Sequence, residues 1–371
     1  MRDLTLSDFP FLASLAKSHN PEDRRIWLRV ACDHFVAAGP ASQEDIERFA
    51  DAVSRQIEGA NLETALEAAR KLAPSPRTPT RLLAKFESFS PQASDVVLEH
   101  GAAYATADLI AAIERGGRSA IAVARRVNLD ARLIETLLAR DEPAALAALA
   151  GNSRTRLEGA VLMRLLRRAR ALAERSGDRR LADALLERRP LRVESAMLFL
   201  LADPAERVEI LLAAQRAELG RPPCERTPAS AEIVRELELA ALARRPERFV
   251  AALARALNCD AALAQKIADD PSGEPLAVAL AALGAPGDVL VRVLIASDLE
   301  VGETYLRIRA LARLNNALDR NAATTVVEAL RGLPPRRTRA ATPEDSQPPS
   351  REAPLRRGQR PPAASQRKAA I

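Results

Sequence analysis

Asn128-Leu-Asp-Ala-Arg-Leu133, followed by Asp141-Glu-Pro143, returns later in the chain as Asn258-Cys-Asp-Ala-Ala-Leu263, followed by Asp270-Pro271. Each copy reads as a turn, a short apolar helix, an acidic-proline break and an alanine-rich helix, so one helical hairpin design is used at least twice. A hairpin of this size cannot bury its apolar face alone, and its neighbours must stack on it to make a core. The expected fold class is therefore all-α, with stacked antiparallel helix hairpins arranged as a solenoid-like repeat.

The rest of the chain carries the same punctuation. Asn20-Pro-Glu-Asp23 supplies a cap, a first-turn proline and two acids ahead of an amphipathic run from Arg24 to Ala37, in which Ile26, Val30 and Phe35 are expected on one flank. Ser42-Gln-Glu-Asp45 opens the next helix in the same way, and Gly39-Pro40 separates the two. Further breaks fall at Pro74-Ser-Pro76, Ser90-Pro91, Gly116-Gly117, Gly151-Asn152, Gly177-Asp178, Asp203-Pro204 and Arg245-Pro246. Between them apolar side chains recur three and four apart and hardly any run alternates, so no strand is assigned. The spacing predicts a longer helix over Thr155 to Ser176. Three segments are expected: an N-terminal helical lobe over 1–115, a helical-repeat region over 116–332 and a disordered, Pro/Arg-rich basic tail over 333–371.

At 371 residues the chain exceeds one ordinary core, a limit that a stack of helix pairs escapes because each unit touches only its neighbours. Only 3% of residues are aromatic while 47% are hydrophobic, so Ala, Leu, Val and Ile must fill the interior. Phe9, Phe11, Trp27, Phe35, Phe49, Phe86 and Phe89 place most of the bulky packing in the first hundred residues. The formal charge of +6 is uneven: nine basic and three acidic side chains follow Leu333, which leaves residues 1–332 balanced. A neutral body gives little support to a dedicated phosphate-backbone reader. The tail has many prolines and few large apolar groups, and cannot bury enough surface to offset ordering. Its Arg336, Arg337, Arg356, Arg357 and Arg360 are candidate loose contacts for an anionic partner. Cys32, Cys224 and Cys259 are odd in number and widely spaced, which suggests neither a disulfide framework nor a zinc site. With no export signal in the first residues and no apolar run of spanning length, a cytoplasmic protein with no membrane span is expected.

No catalytic residue, cofactor or metal is expected. His19, His34 and His100 form no metal-ligand spacing, and no phosphate loop, dinucleotide fingerprint or nucleophile elbow occurs. Cys32 and His34 lie two apart, which on a helix points them away from each other. The candidate surface in the folded part is basic: Arg164, Arg168 and Arg175 recur at helical spacing, and Arg179 and Arg180 follow the next turn. Five cations in so short a stretch repel one another unless they are solvated or matched by acids. In a chain with many arginines and few lysines, a solvated helix face is the plainer alternative.

Two stretches also carry a family resemblance. Arg245-Pro-Glu-Arg-Phe-Val-Ala-Ala-Leu-Ala-Arg-Ala-Leu257, the segment from Ile267 through Asp270-Pro-Ser-Gly-Glu-Pro275 to Pro286, and Val289 to Ile295 resemble the bacterial family known as domain of unknown function 2336. The earlier Arg140-Asp-Glu-Pro143 and the residues to Asn152 resemble that family's upstream repeats. The likeness spans about residues 10 to 330 and rests on structural turns. It implies an all-α, HEAT-like repeat fold in a cytoplasmic bacterial protein, with no catalytic residues to carry over.

The function class expected is a non-enzymatic scaffold or adaptor that presents a helical surface to a protein partner, in bacterial signalling or stress regulation. The alternative is a nucleic-acid-associated protein using the Arg164 to Arg180 patch, the tail or both. Oligomeric state is not legible. Asn128, Asp130, Asn258 and Asp260 are expected as helix caps rather than contacts, and alanine at any of them is predicted to cost about 1 kcal/mol. Urea unfolding of the four single variants measures this, and an unchanged midpoint at a position removes its capping role.

Overall fold

A computed structural model of the protein describes residues 15, 18, 20–39, 42–219, 229–296 and 305–333. These residues are helical with no strand among them. The first helices are α1 (Pro21–Ala37), α2 (Gln43–Glu58), α3 (Leu62–Leu72), α4 (Thr80–Phe89), α5 (Pro91–His100), α6 (Thr106–Arg115), α7 (Arg118–Ala124), α8 (Ala131–Arg140), α9 (Pro143–Gly151), α10 (Gly159–Ser176) and α11 (Arg180–Leu186). A 3-10 helix, Val193–Leu198, leads into α12 (Pro204–Leu219), α13 (Ala231–Leu242), α14 (Pro246–Leu257), α15 (Ala261–Asp269), α16 (Glu274–Leu283), α17 (Gly287–Ala296), α18 (Tyr305–Ala317) and α19 (Arg320–Leu330). The basic tail expected from 333 onward, with its candidate arginines, lies outside the described residues apart from Leu333. So do Phe9 and Phe11.

Local chemistry sets the helix starts. Asn20, Ser42, Asp130 and Asp260 accept from the backbone N–H of Glu22, Asp45, Leu133 and Leu263, as N-caps do. Asn258 instead ends α14 in the left-handed region at φ 51°, a conformation Asn tolerates. Asn128 caps neither α7 nor α8, so no capping loss attaches to it. On α1 the buried residues are Trp27, Leu28, Ala31, Cys32 and Phe35, while Ile26 and Val30 are exposed. Trp27, Ala31 and Phe35 recur at four, whereas Ile26 and Phe35 lie on opposite sides of the helix. The long helix begins at Gly159 rather than at Thr155, because residues 152–158 fold into a loop held from other elements.

Alternate helices stack. α1, α3, α5, α7, α9 and α11 pack each on the next, and α2 against α4 and α6 against α8 form the second layer of hairpins. The interior has two apolar clusters, one from Leu15 to Val97 and one from Leu98 to Leu330, with Tyr104 packed against both. Phe35 and Phe49 stack at 4.1 Å between ring centroids in the first.

Arginines staple this stack. The last carbonyls of a helix have no partner within it, and the negative end of the helix dipole attracts a cation. Arg77, beyond α3, donates to Phe35 O (2.6 Å) and Gly39 O (2.5 Å) at the end of α1. Arg126, just after α7, donates to Leu98 O (2.6 Å) and Gly101 O (2.8 Å) at the end of α5. Arg188, just after α11, donates to Ala150 O (2.7 Å) and Asn152 O (2.8 Å) at the end of α9 and to Thr155 O (2.5 Å). Asn152 in turn donates to Ala124 O (3.0 Å) and Arg126 O (2.7 Å) after α7.

After α11 the regular alternation stops. The second copy of the repeat forms α15 and α16, but α16 is packed by α14, α15, α18 and α19, and α12 and α19 close on each other and on the 3-10 helix. From Pro275 to Ala281 every residue of α16 is buried. Arg207 of α12, 7% exposed, pins the turn into α16. Its guanidinium donates to Asp270 Oδ2 (2.8 Å), Ser272 Oγ (2.6 Å), Glu274 Oε2 (3.1 Å) and Phe199 O (3.1 Å). Burial alone would raise the Asp270 carboxyl, but the hydrogen bonds from Arg207 and Ser272 outweigh it and hold it below the usual carboxylate range.

Arg207→Met leaves the nearly buried Asp270 and the half-buried Glu274 without their cation, and is expected to destabilise by about 3 kcal/mol in urea unfolding. The Asp270 contribution has a definite pH sign. A folded pKa below the unfolded value gives stability present above about pH 4 and lost as pH falls through the folded pKa, so the gap between wild type and Asp270→Asn is expected to narrow in acid.

Candidate partner-binding surfaces

The basic stretch on α10 and α11 is largely neutralised from within. Arg164 Nη1 lies 2.7 Å from Glu135 Oε2 on α8, and Arg168 Nε lies 2.7 Å from Asp141 Oδ1 at the end of α8. Arg179 pairs with Asp183 at 3.3 Å and donates to Leu201 O at 2.5 Å, and Arg180 pairs with Asp178 at 2.7 Å. The Arg180 side-chain and backbone hydrogen bonds hold the Asp178 carboxyl down at about 2, so this pair stays ionised across the working pH range. Among the described residues Arg175, alone of the five, has only a carbonyl partner, Ala171 O at 3.2 Å. Glu135 and Asp141 enter the balance only once the helices are paired, whereas Asp183 follows Arg179 by four residues at the start of α11.

Other chemistry-bearing groups are placed as core. Cys32 is buried on α1, and burial pushes its thiol up to about 12, so it stays protonated at neutral pH. Among the described residues no three of His, Cys, Asp and Glu gather as metal ligands, and no helix is long and apolar enough to cross a membrane.

The hairpin of α13 and α14 forms a different kind of surface. α13 buries only Leu237 and Ala241, which leaves most of its length uncovered. Between the two helices runs a groove of about 580 Å³. Leu239, Ala240, Ala243 and Ala251 make its floor, with Leu239 57% exposed. Arg235, Arg245, Arg248 and Arg255 stand around it beside Glu232 and Glu236. Glu236 is bonded to Arg255, while Arg235, Arg245 and Arg248 are exposed and have no ion pair among the described residues. The turn between the helices passes through Arg244 at φ 50°, and Arg245 donates its N–H to Ala240 O at 3.3 Å. An apolar floor with a charged rim is the usual anatomy of a protein-recognition patch. Sequence reading takes Arg245-Pro246 as a helix break and stops there, because which arginines share a rim depends on how α13 and α14 pair.

Compared with family models, with curated proteins and with solved structures, the chain matches none.

The Arg164–Glu135 pair is exposed on both sides, so a double-mutant cycle with Arg164→Gln and Glu135→Gln is expected to give a coupling of about 0–1 kcal/mol. A coupling well above that range would mean the two charges are desolvated and belong to the fold rather than to the surface.

Proposed function

We propose that the chain is a non-enzymatic helical-repeat scaffold for a protein partner, and that the α13–α14 groove seats an acidic amphipathic segment of that partner. One observation carries the reading: an uncovered apolar floor at Leu239 lies beside Arg235, Arg245 and Arg248, none of which is paired with an acid among the described residues. Apolar burial against the floor supplies affinity, and the unmatched guanidiniums supply steering and selection for acidic side chains. Helix-in-groove docking suits the concavity between two adjacent helices. The nucleic-acid reading ranks second because four of the five α10–α11 arginines already hold carboxylates of the same chain. On this reading the chain is also a divergent member of the domain-of-unknown-function-2336 family, to be checked by superposing an experimental structure of a member helix by helix.

The test uses fluorescein-labelled amphipathic peptides with leucines three and four apart, in a glutamate-rich and a lysine-rich version. Full-length protein is expected to bind the acidic peptide, with affinity falling as salt rises. Leu239→Asp is expected to abolish binding, and Arg245→Glu with Arg248→Glu to slow association by about tenfold or more. Equal binding of the lysine peptide, or insensitivity to Leu239→Asp, would overturn the assignment.

A further inference from the structure

A second concavity lies away from that groove, where the loop between α9 and α10 meets the chain leaving α11. Its volume is about 210 Å³, and its walls carry five guanidiniums, those of Arg154, Arg156, Arg188, Arg189 and Arg192. Three carboxylates answer them. Glu158 is shared between Arg156 (2.7 Å) and Arg192 (2.8 Å), while Arg189 is held by Glu209 (3.0 Å) and Glu206 (3.9 Å). Among the described residues Arg188 gives its hydrogen bonds to carbonyls and has no acid, and the exposed Arg154 has no ion pair. The cavity wall therefore keeps an excess of two positive charges.

Two hydroxyl-bearing residues, Thr155 and Ser195, line the same space. Thr155 is 5% exposed, and its Oγ1 is buried with no hydrogen-bond partner. Ser195 is 7% exposed and also lines the cavity. A buried hydroxyl left unpaired is destabilising, so native proteins keep one mainly where something else completes it. Burial, with Arg192 close by, lowers the Arg188 guanidinium below its ordinary value, the direction expected of a cation lacking a counter-charge.

We infer that this cavity is a binding site for a phosphate monoester, with Arg154 and Arg192 as its ligand-facing groups and the unpaired Thr155 hydroxyl as the donor that turns toward the ligand when it binds. A monoester dianion offsets the wall's excess of two charges, one on Arg154 and one on Arg188 behind the loop, and its tetrahedral oxygens accept from Arg154, from Arg192, which is shared with Glu158, and from a hydroxyl arriving from another side. A carboxylate brings one charge in one plane, and a phosphodiester brings one charge with two chain exits. The ester's source is either a free phosphorylated small molecule or a phosphorylated side chain. Arg188 is the brace that shapes the site, through its three carbonyl bonds to the loop.

Calorimetric titration of the full chain with inorganic phosphate, a phosphoserine peptide, the same peptide unphosphorylated and a DNA oligonucleotide tests this. Phosphate and the phosphopeptide are expected to bind and to raise Tm. Arg154→Gln with Arg192→Gln is expected to weaken both by about tenfold or more. Arg188 is left intact because its loss would release the loop. Thr155→Val keeps the shape and removes the unpaired hydroxyl, so it is expected to weaken phosphate binding without lowering the Tm of the unliganded protein. A phosphopeptide binding well above inorganic phosphate assigns a phosphorylated side chain as the source, and equal affinities assign a free ester. Absence of binding at millimolar phosphate and phosphopeptide, equal binding of the unphosphorylated peptide or the DNA, or indifference to the variants would overturn the site. Leu239→Asp is the control, since it disables the groove and leaves this cavity untouched.

Discussion

The structure depends on how the carbonyls at helix ends are satisfied. Many short helices mean many C-termini, and each leaves carbonyls without partners inside a closely packed stack. Arg77, Arg126 and Arg188 answer this in the same way, each leaving the end of one helix and reaching the end of the helix stacked before it. A guanidinium suits the task because its planar fork reaches two or three carbonyls at once and stays charged when half-buried, whereas an ammonium is a single, more strongly hydrated point. The abundance of arginine is thereby partly structural. Side chains that look like a reservoir of surface charge are in several places the fastening between layers.

Small side chains set the second constraint. With few aromatics, the interior is filled by Ala and Leu, and helices must approach closely for such residues to touch. α16 is the limiting case, an alanine-rich helix surrounded by neighbours and buried almost all round. The first copy of the repeat places its second helix, α9, in the regular stack, with Ala145, Leu146, Leu149 and Ala150 buried. The same phrase therefore has two outcomes. What separates them is Arg207, which meets Asp270 in the second copy, while in the first the corresponding Asp141 takes a left-handed turn at φ 56° and faces Arg168.

The body's near-neutral charge is organised rather than diffuse. On α10 and α11 four of the five candidate arginines hold carboxylates, so a sequence-dense basic patch is largely neutralised. The two concavities differ because their arginines outnumber nearby acids. One adds an apolar floor, which supports the peptide-groove proposal, and the other adds the buried residues Thr155 and Ser195, which supports the phosphate proposal. They share no residue, which allows the two to be occupied independently.

The sequence by itself determined the helices and most of their ends. Asn20, Ser42, Asp130 and Asp260 act on backbone N–H groups within a turn, and proline and glycine act through their own φ, so neither needs the rest of the chain. All-α character and hairpin stacking follow from that local punctuation together with the helical period. Tertiary structure decided which flank of α1 is buried, where α10 begins, which arginines are fasteners, which are paired and which are left over. Those outcomes depend on contacts such as Arg164 with Glu135, Arg207 with Asp270 and Arg188 with Ala150, made between helices whose order of packing no local signal encodes. Charge excess at a surface is a sum over neighbours in space, and only the folded chain defines those neighbours.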